Sequence, residues 1–131
     1  MQYLLDTHTI IWFLTGDSNL PVHIKKLIKN IDNNCYVSIV SLWEIVIKMS
    51  LGKLNIKGSY MRLYDALIKN KIDILQIEQN HLFKLFMFEF HHRDPFDRMI
   101  IAQAVSEDLT LLSRDEIFDI YLSESNTKRI W

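Results

Sequence analysis

The stretch Tyr3-Leu4-Leu5-Asp6-Thr7-His8-Thr9-Ile10-Ile11 runs three apolar residues into an acid, two hydroxyls and a histidine, and then turns apolar again. A run that short and continuous reads as a strand buried on both faces, and Asp6 is a residue type that starts helices. The expected unit is therefore a buried strand entering a helix, which Ile10, Ile11, Phe13 and Leu14 continue and the turn cluster Gly16-Asp17-Ser18-Asn19 ends. The unit recurs. Cys35-Tyr36-Val37 precedes a helix predicted from Ser41 to about Leu51 with Gly52 as its stop, and Ile72 to Ile77 precedes a helix over Glu78 to about Phe88. Leu109-Thr110-Leu111-Leu112 precedes a short helix after Asp115. Between these units the pattern predicts a helix opened by Pro21 and running to about Ile31, with Ile24, Leu27, Ile28 and Ile31 as its apolar stripe. Lys53 to Ser59 reads as a connector, Tyr60 to about Asn70 as a helix, and Asp94-Pro95 as the start of a helix reaching about Glu107; a possible last strand lies near Ile130. Short buried strands alternating with helices predict an α/β fold, a three-layer domain with a mostly parallel central sheet flanked by helices. No repeat, low-complexity segment or linker interrupts residues 1–131, which read as a single domain.

Composition narrows the chemistry. Hydrophobic residues make up 49% and charged residues 24%, a globular balance, and the 15 basic residues against 16 acidic ones leave a formal charge of -1. A whole-molecule field of that size does not bind polyanions, so any nucleic-acid contact must come from a local patch. The single cysteine, Cys35, excludes an internal disulfide and a cysteine-based cluster and fits a reducing compartment. Gly16, Gly52 and Gly58 have none of the neighbours a dinucleotide or P-loop phosphate cradle requires. No export signal and no membrane-length apolar run are present, so a soluble, cytoplasmic protein with no membrane partner is expected.

Four acids fall at element junctions: Asp6 and Asp115 beyond strands, Glu44 and Asp97 in the first turns expected of helices. Each has an ordinary explanation as a cap. Asp6 and Asp115 suit N-cap positions, Ser41-Leu42-Trp43-Glu44 matches a capping box, and Asp94-Pro95-Phe96-Asp97 supplies an N-cap, a proline and an acid at the third helical position. Lys48 follows Glu44 by four residues, a favourable helical pair. Capping does not explain why one sheet edge collects four acids, and ligands of open parallel sheets gather at the carboxyl ends of the strands. Two carboxylates about 5 Å apart repel by roughly 3 kcal/mol at an effective dielectric near 20, so such a cluster calls for a cation. Mg²⁺ suits it as a hard ion that prefers oxygen ligands and keeps several waters, and Mn²⁺ fits as well.

Four stretches then match, in order, a known family: Leu4-Leu5-Asp6-Thr7-His8, Ser41-Leu42-Trp43-Glu44, His92-Arg93-Asp94-Pro95-Phe96-Asp97-Arg98-Met99-Ile100-Ile101-Ala102-Gln103-Ala104, and Leu111-Leu112-Ser113-Arg114-Asp115. The chain resembles a PIN-domain ribonuclease of the VapC type, the toxin half of a bacterial or archaeal toxin-antitoxin pair. The resemblance implies that Asp6, Glu44, Asp97 and Asp115 form a catalytic metal site, with Asp6 and Asp97 as direct ligands of Mg²⁺ or Mn²⁺ and the other two completing it directly or through water. It places hydroxyls of Thr7 and Ser113 beside those acids, where they orient a carboxylate or a bound water. Asp94 matches a subgroup pattern too, although its N-cap role fits the following proline more directly. The implied activity is endonucleolytic hydrolysis of RNA, leaving a 5′-phosphate and a 3′-hydroxyl. The implied partners are an antitoxin protein and a second copy of the chain.

Arg98, beside Asp97, is expected to contact phosphate or to balance the acids, and His8 and the His91-His92-Arg93 run lie near enough for phosphate contacts. The remaining histidines read as surface residues, since no zinc-binding spacing is present. Lys25, Lys26 and Lys29, and Lys48, Lys53 and Lys57, form two cationic groups that would flank a polyanion. Trp12, Trp43 and Trp131 read as core or interface residues, and the run Phe83 to Phe90 is apolar on more than one helix face, which points to burial against a partner. Three alternatives stand beside the nuclease. A haloacid-dehalogenase-like phosphohydrolase wants a second Asp two residues after the first, where this chain has His8. A phosphate-accepting receiver domain lacks its acidic pair and late lysine here, and a non-catalytic interaction module would use all four acids as caps.

Overall fold

The computed structural model describes residues 1–131. Five strands, β1 (Gln2–Leu5), β2 (Asn34–Ser38), β3 (Ile72–Leu75), β4 (Thr110–Leu112) and β5 (Arg129–Ile130), pair entirely in parallel in the order β3-β2-β1-β4-β5. Parallel pairing requires crossovers, and the helices supply them: α1 (Thr7–Thr15), α2 (Val22–Lys29), α3 (Ile39–Ser50), α4 (Tyr60–Lys69), α5 (Gln79–Met87), α6 (Pro95–Glu107) and α7 (Phe118–Leu122). Successive residues of β1 feed opposite faces. Tyr3 and Leu5 pack with Ile10, Ile24, Ile45 and Leu67 from α1 to α4, while Leu4 packs with Ile100, Ile101 and Phe118 from α6 and α7. Helices thus cover both faces, as a sheet of continuous apolar strands requires.

The chain order places the functional edge. β1, β2 and β3 are laid down outward in one direction, after which β4 returns to the other side of β1, so the strand order reverses between β1 and β4. Leu5 is level with both Val37 and Leu112, and the carboxyl ends of β1, β2 and β4 therefore open on one crevice.

Several expected boundaries move. α3 starts at Ile39, with the Ser38 side chain accepting from the Val40 N–H at 3.0 Å, so Ser41 is already inside the helix and the expected Ser41–Glu44 capping box does not form. Strand and helix abut without a loop there, which leaves the last strand residue as the cap. The second helix ends at Lys29, and Ile31, placed by its spacing on the apolar stripe, is 83% exposed in the following turn. Pro21 is the N-cap of that helix rather than its first residue. Asp115 caps a turn, accepting from the Ile117 N–H at 3.0 Å, and the helix begins later at Phe118. His81, expected at the surface, is fully buried and is the only buried residue of α5. Its Nδ1 accepts from the Glu78 N–H at 2.9 Å and its Nε2 lies 2.7 Å from Glu107 on α6, so both ring nitrogens are satisfied.

Candidate active site

Asp6 leaves β1 buried, and its carboxylate is held twice: Oδ1 accepts from the Thr9 N–H at 2.8 Å and Oδ2 from the Ser113 hydroxyl. The first bond is an ordinary N-cap of α1, so capping and membership of the site are compatible in one residue. Ser113, just beyond β4, also accepts from the Asp115 N–H at 3.0 Å and so ties the loop carrying Asp115 to Asp6. Thr9 fixes the same junction by donating from its hydroxyl to the Leu112 carbonyl at 2.9 Å. Thr7 is buried and donates to the Ser41 hydroxyl at 3.0 Å rather than to an acid. That bond fastens the start of α1 to α3.

Glu44 lies in the second turn of α3, 8% exposed, with its Oε2 2.9 Å from Lys48 Nζ. Asp97 stands at the third position of α6, whose N-terminus is fixed by Asp94 accepting from the Phe96 and Asp97 N–H groups at 2.9 and 3.1 Å. Burial pushes the Asp97 carboxyl up to about 7, reinforced by the negative charges of Asp94, Glu44, Asp115 and Asp6. One carboxyl thus feels all three other expected site acids together with its own N-cap. Burial raises Asp6 as well, against the lowering effect of its bonds from Ser113 and Thr9. No three acidic, histidine or cysteine side chains close on a common point as a ready-made metal cage. Mg²⁺ takes one or two carboxylates directly and keeps several waters, so it does not require such a cage. The oxygen-only, charge-frustrated donor set fits Mg²⁺ or Mn²⁺.

Arg98 takes a different position from the one expected. Its guanidinium is buried away from phosphate, donating to the Glu89 carbonyl at 2.9 Å and the Tyr121 hydroxyl at 3.0 Å, with the Phe90 ring 4.0 Å from its Cζ. The Tyr121 oxygen accepts a second bond from the His92 N–H at 3.2 Å and lies 2.8 Å from His92 Nδ1. With both lone pairs occupied, the phenol donates to Nδ1, which leaves the imidazole hydrogen on Nε2, 3.4 Å from Asp97 Oδ2. Arg98 therefore reaches Asp97 only through Tyr121 and His92. Sequence reasoning missed Tyr121 because a tyrosine 24 residues beyond Asp97 carries no local mark of its use. Thr9 and Ser41 were missed because hydroxyls at helix starts look like caps.

A groove of about 550 Å³ at the strand ends is lined by Asp6, His8, Trp12, Arg114, Asp115 and Glu116. Asp6 and Asp115 share this opening, with Glu116 as a further acid that the sequence reading did not include.

The PIN domain family matches residues 3–121, and the chain belongs to that family. Among solved structures, the chain is similar to VapBC2 from Rickettsia felis bound to a DNA fragment from their promoter, at 17% identity and TM-score 0.67 over 99% of this chain and 98% of that one. It is also similar to VapBC-1 from nontypeable Haemophilus influenzae, at 16% identity and TM-score 0.70 over 99% and 97%. A toxin-antitoxin complex from Klebsiella pneumoniae is similar at 20% identity and TM-score 0.59 over 86% of each chain. No curated protein matches the sequence significantly. At these identities the structural likenesses establish the fold, and the reversal of strand order beside Asp6 agrees with the expected PIN-like architecture.

Proposed function

We propose that this chain is a divalent-metal-dependent endoribonuclease and the toxin of a toxin-antitoxin pair. The observation that carries the reading is the Asp97 carboxyl, pushed up to about 7 by burial and by the negative charges of Asp94, Glu44, Asp115 and Asp6, the last two of which line one groove at the strand ends. Family membership over residues 3–121 and fold neighbours that are toxin-antitoxin complexes support the same conclusion. Asp6 and Asp97 are the direct ligands in this reading, and Glu44 and Asp115 complete the site. Held there, Mg²⁺ or Mn²⁺ would supply polarisation of a phosphate oxygen and acidification of a bound water. Ser113 fixes the carboxylate plane of Asp6, His92 holds Oδ2 of Asp97, and Glu44 or Asp115 accepts the proton of the attacking water. Lys48 holds the Glu44 carboxylate in place through its 2.9 Å ion pair.

The α5 face supports protein partners, an antitoxin and a second copy of the chain. Phe83, Phe86 and Phe90 are 63%, 90% and 79% exposed beside Met87 and Leu82. Phenylalanines of about 200 Å² each at those exposures leave roughly 450 Å² in water, the size of patch that is often functional on a monomer. No helix is long and apolar enough to cross a membrane.

Incubation of the purified chain with RNA and Mg²⁺, beside an EDTA control and Asp97→Asn, tests the nuclease. Internal cuts ending in 5′-phosphate that vanish in both controls are expected. Release of phosphate from small phosphoesters with no RNA cleavage would contradict it.

A further inference from the structure

The acidic groove does not end at Asp6. A second groove of about 470 Å³ shares His8 and Trp12 with it and continues to Lys48 and Lys53. His8 is exposed, and its ring centroid lies 5.6 Å from that of Trp12 at an interplanar angle of 38°. Trp12 packs against Trp131 with ring centroids 5.9 Å apart, and it lines both openings. Lys53 is exposed and in no ion pair, whereas Lys48 is committed to Glu44. The continuous floor thus passes from carboxylates, through two aromatic rings, to a free ammonium.

That order of chemistries is the order a nucleic-acid strand presents, with one phosphate at the cation-holding end, a base over the rings and a further phosphate at the lysine. Aromatic side chains stack bases of any identity, and cations beside them follow the backbone. Ile11, Leu54 and Ile56 also line the second groove, and what favours a nucleic acid there over a protein segment is the succession of carboxylates, aromatic rings and an unpaired lysine along one floor. Resting on the ribonuclease reading above, we propose that the two grooves form one nucleotide track, in which a base flanking the scissile phosphate stacks on Trp12 and His8 while Lys53 holds a backbone phosphate. Trp12 and His8 are then substrate-binding residues, and stacking restricts the track to RNA whose bases are unpaired.

Binding is read by fluorescence anisotropy of a labelled single-stranded oligoribonucleotide in EDTA, and cleavage by KM and kcat in Mg²⁺. Trp12→Ala is expected to raise Kd and KM about tenfold with kcat changed far less, and Trp12→Phe to restore most of the affinity. Lys53→Ala is expected to lower the slope of log Kd against log salt by about 0.7, one phosphate contact on a single strand. Because removal of a half-buried indole can cost folding, an abasic scan of the oligonucleotide is run on the wild-type chain, where loss of one base beside the cut should weaken binding as Trp12→Ala does. RNA cleavage by the wild type with Kd insensitive to the scan and to Lys53→Ala would overturn the track alone. Neither binding nor cleavage of RNA by the wild type would overturn the track and the ribonuclease reading together.

Discussion

Asp97 titrates against burial and four like charges, and that conflict makes it the most informative single residue. The unfolded chain loses this proton near pH 4 and the folded chain near 7, so between those values the folded state binds the extra proton and stability falls as pH rises. The expected slope is about 1.4 kcal/mol per pH unit from this group. Metal-free Asp97→Asn should therefore gain on the wild type by roughly 2–3 kcal/mol between pH 5 and pH 8, followed by chemical denaturation at each pH. A difference that stays constant with pH would show that the acids do not press on Asp97. Asp94 is the charge that raises Asp97 most, and it also caps α6. Asp94→Asn keeps an oxygen for the Phe96 and Asp97 N–H groups and should lower the Asp97 midpoint, read by carbon NMR of the carboxyl. Asp94→Ala should do the same while costing about 1 kcal/mol more in stability through the lost cap. The positions of Asp6 and Asp115 just beyond strands were legible in the sequence because each follows a short continuous apolar run. Arg98 was not, since its direction depends on Tyr121 and on carbonyls of Phe88 and Glu89 that only the folded chain brings near.

At the scale of elements, the junction between β2 and α3 decides where Glu44 points. The sequence reading starts the helix at Ser41 after the strand Cys35-Tyr36-Val37, because Ser41 has Glu44 three residues on in the pattern of a capping box. The helix instead begins at Ile39, which puts Glu44 in the second turn and frees it from any capping duty. Ser38→Ala is accordingly expected to cost about 1 kcal/mol in a denaturant melt through loss of the N-cap; a stability unchanged by that substitution would return the cap to Ser41. α5 shows the opposite failure of pattern. The apolar residues that mark it as a helix in sequence stay largely outside the core, and the residue that docks it is His81, joined to Glu78 and Glu107. His81→Leu strands the Glu78 N–H and leaves Glu107 alone, and a loss of about 2 kcal/mol is expected, measured by thermal melting. The strands were the easiest elements to read, since continuous apolar runs such as Tyr3-Leu4-Leu5 have no other stable environment than a sheet covered on both faces.

At the scale of the whole molecule, a fully parallel sheet whose strand order reverses between β1 and β4 brings distant acids to one edge, while α5 turns its phenylalanines outward. The alternation of strands and helices made the layers readable from sequence; the strand order was not readable, because it is set by which crossover packs on which face. Phe86, 90% exposed, contributes almost nothing to the monomer, so Phe86→Glu should change stability by less than about 0.5 kcal/mol. Analytical ultracentrifugation should show the same variant shifted toward monomer, and an unaltered association state would remove α5 from the self-contact. Divalent-metal binding by Asp6, Glu44, Asp97 and Asp115 is read in thermal melts with increasing Mn²⁺ or Mg²⁺. At a hundredfold excess over Kd the ion should stabilise the wild type by about 2.7 kcal/mol, and Asp97→Asn should start from a higher Tm and gain little. A wild-type Tm indifferent to either ion, or an equal rise in Asp97→Asn, would show that these acids do not hold the metal.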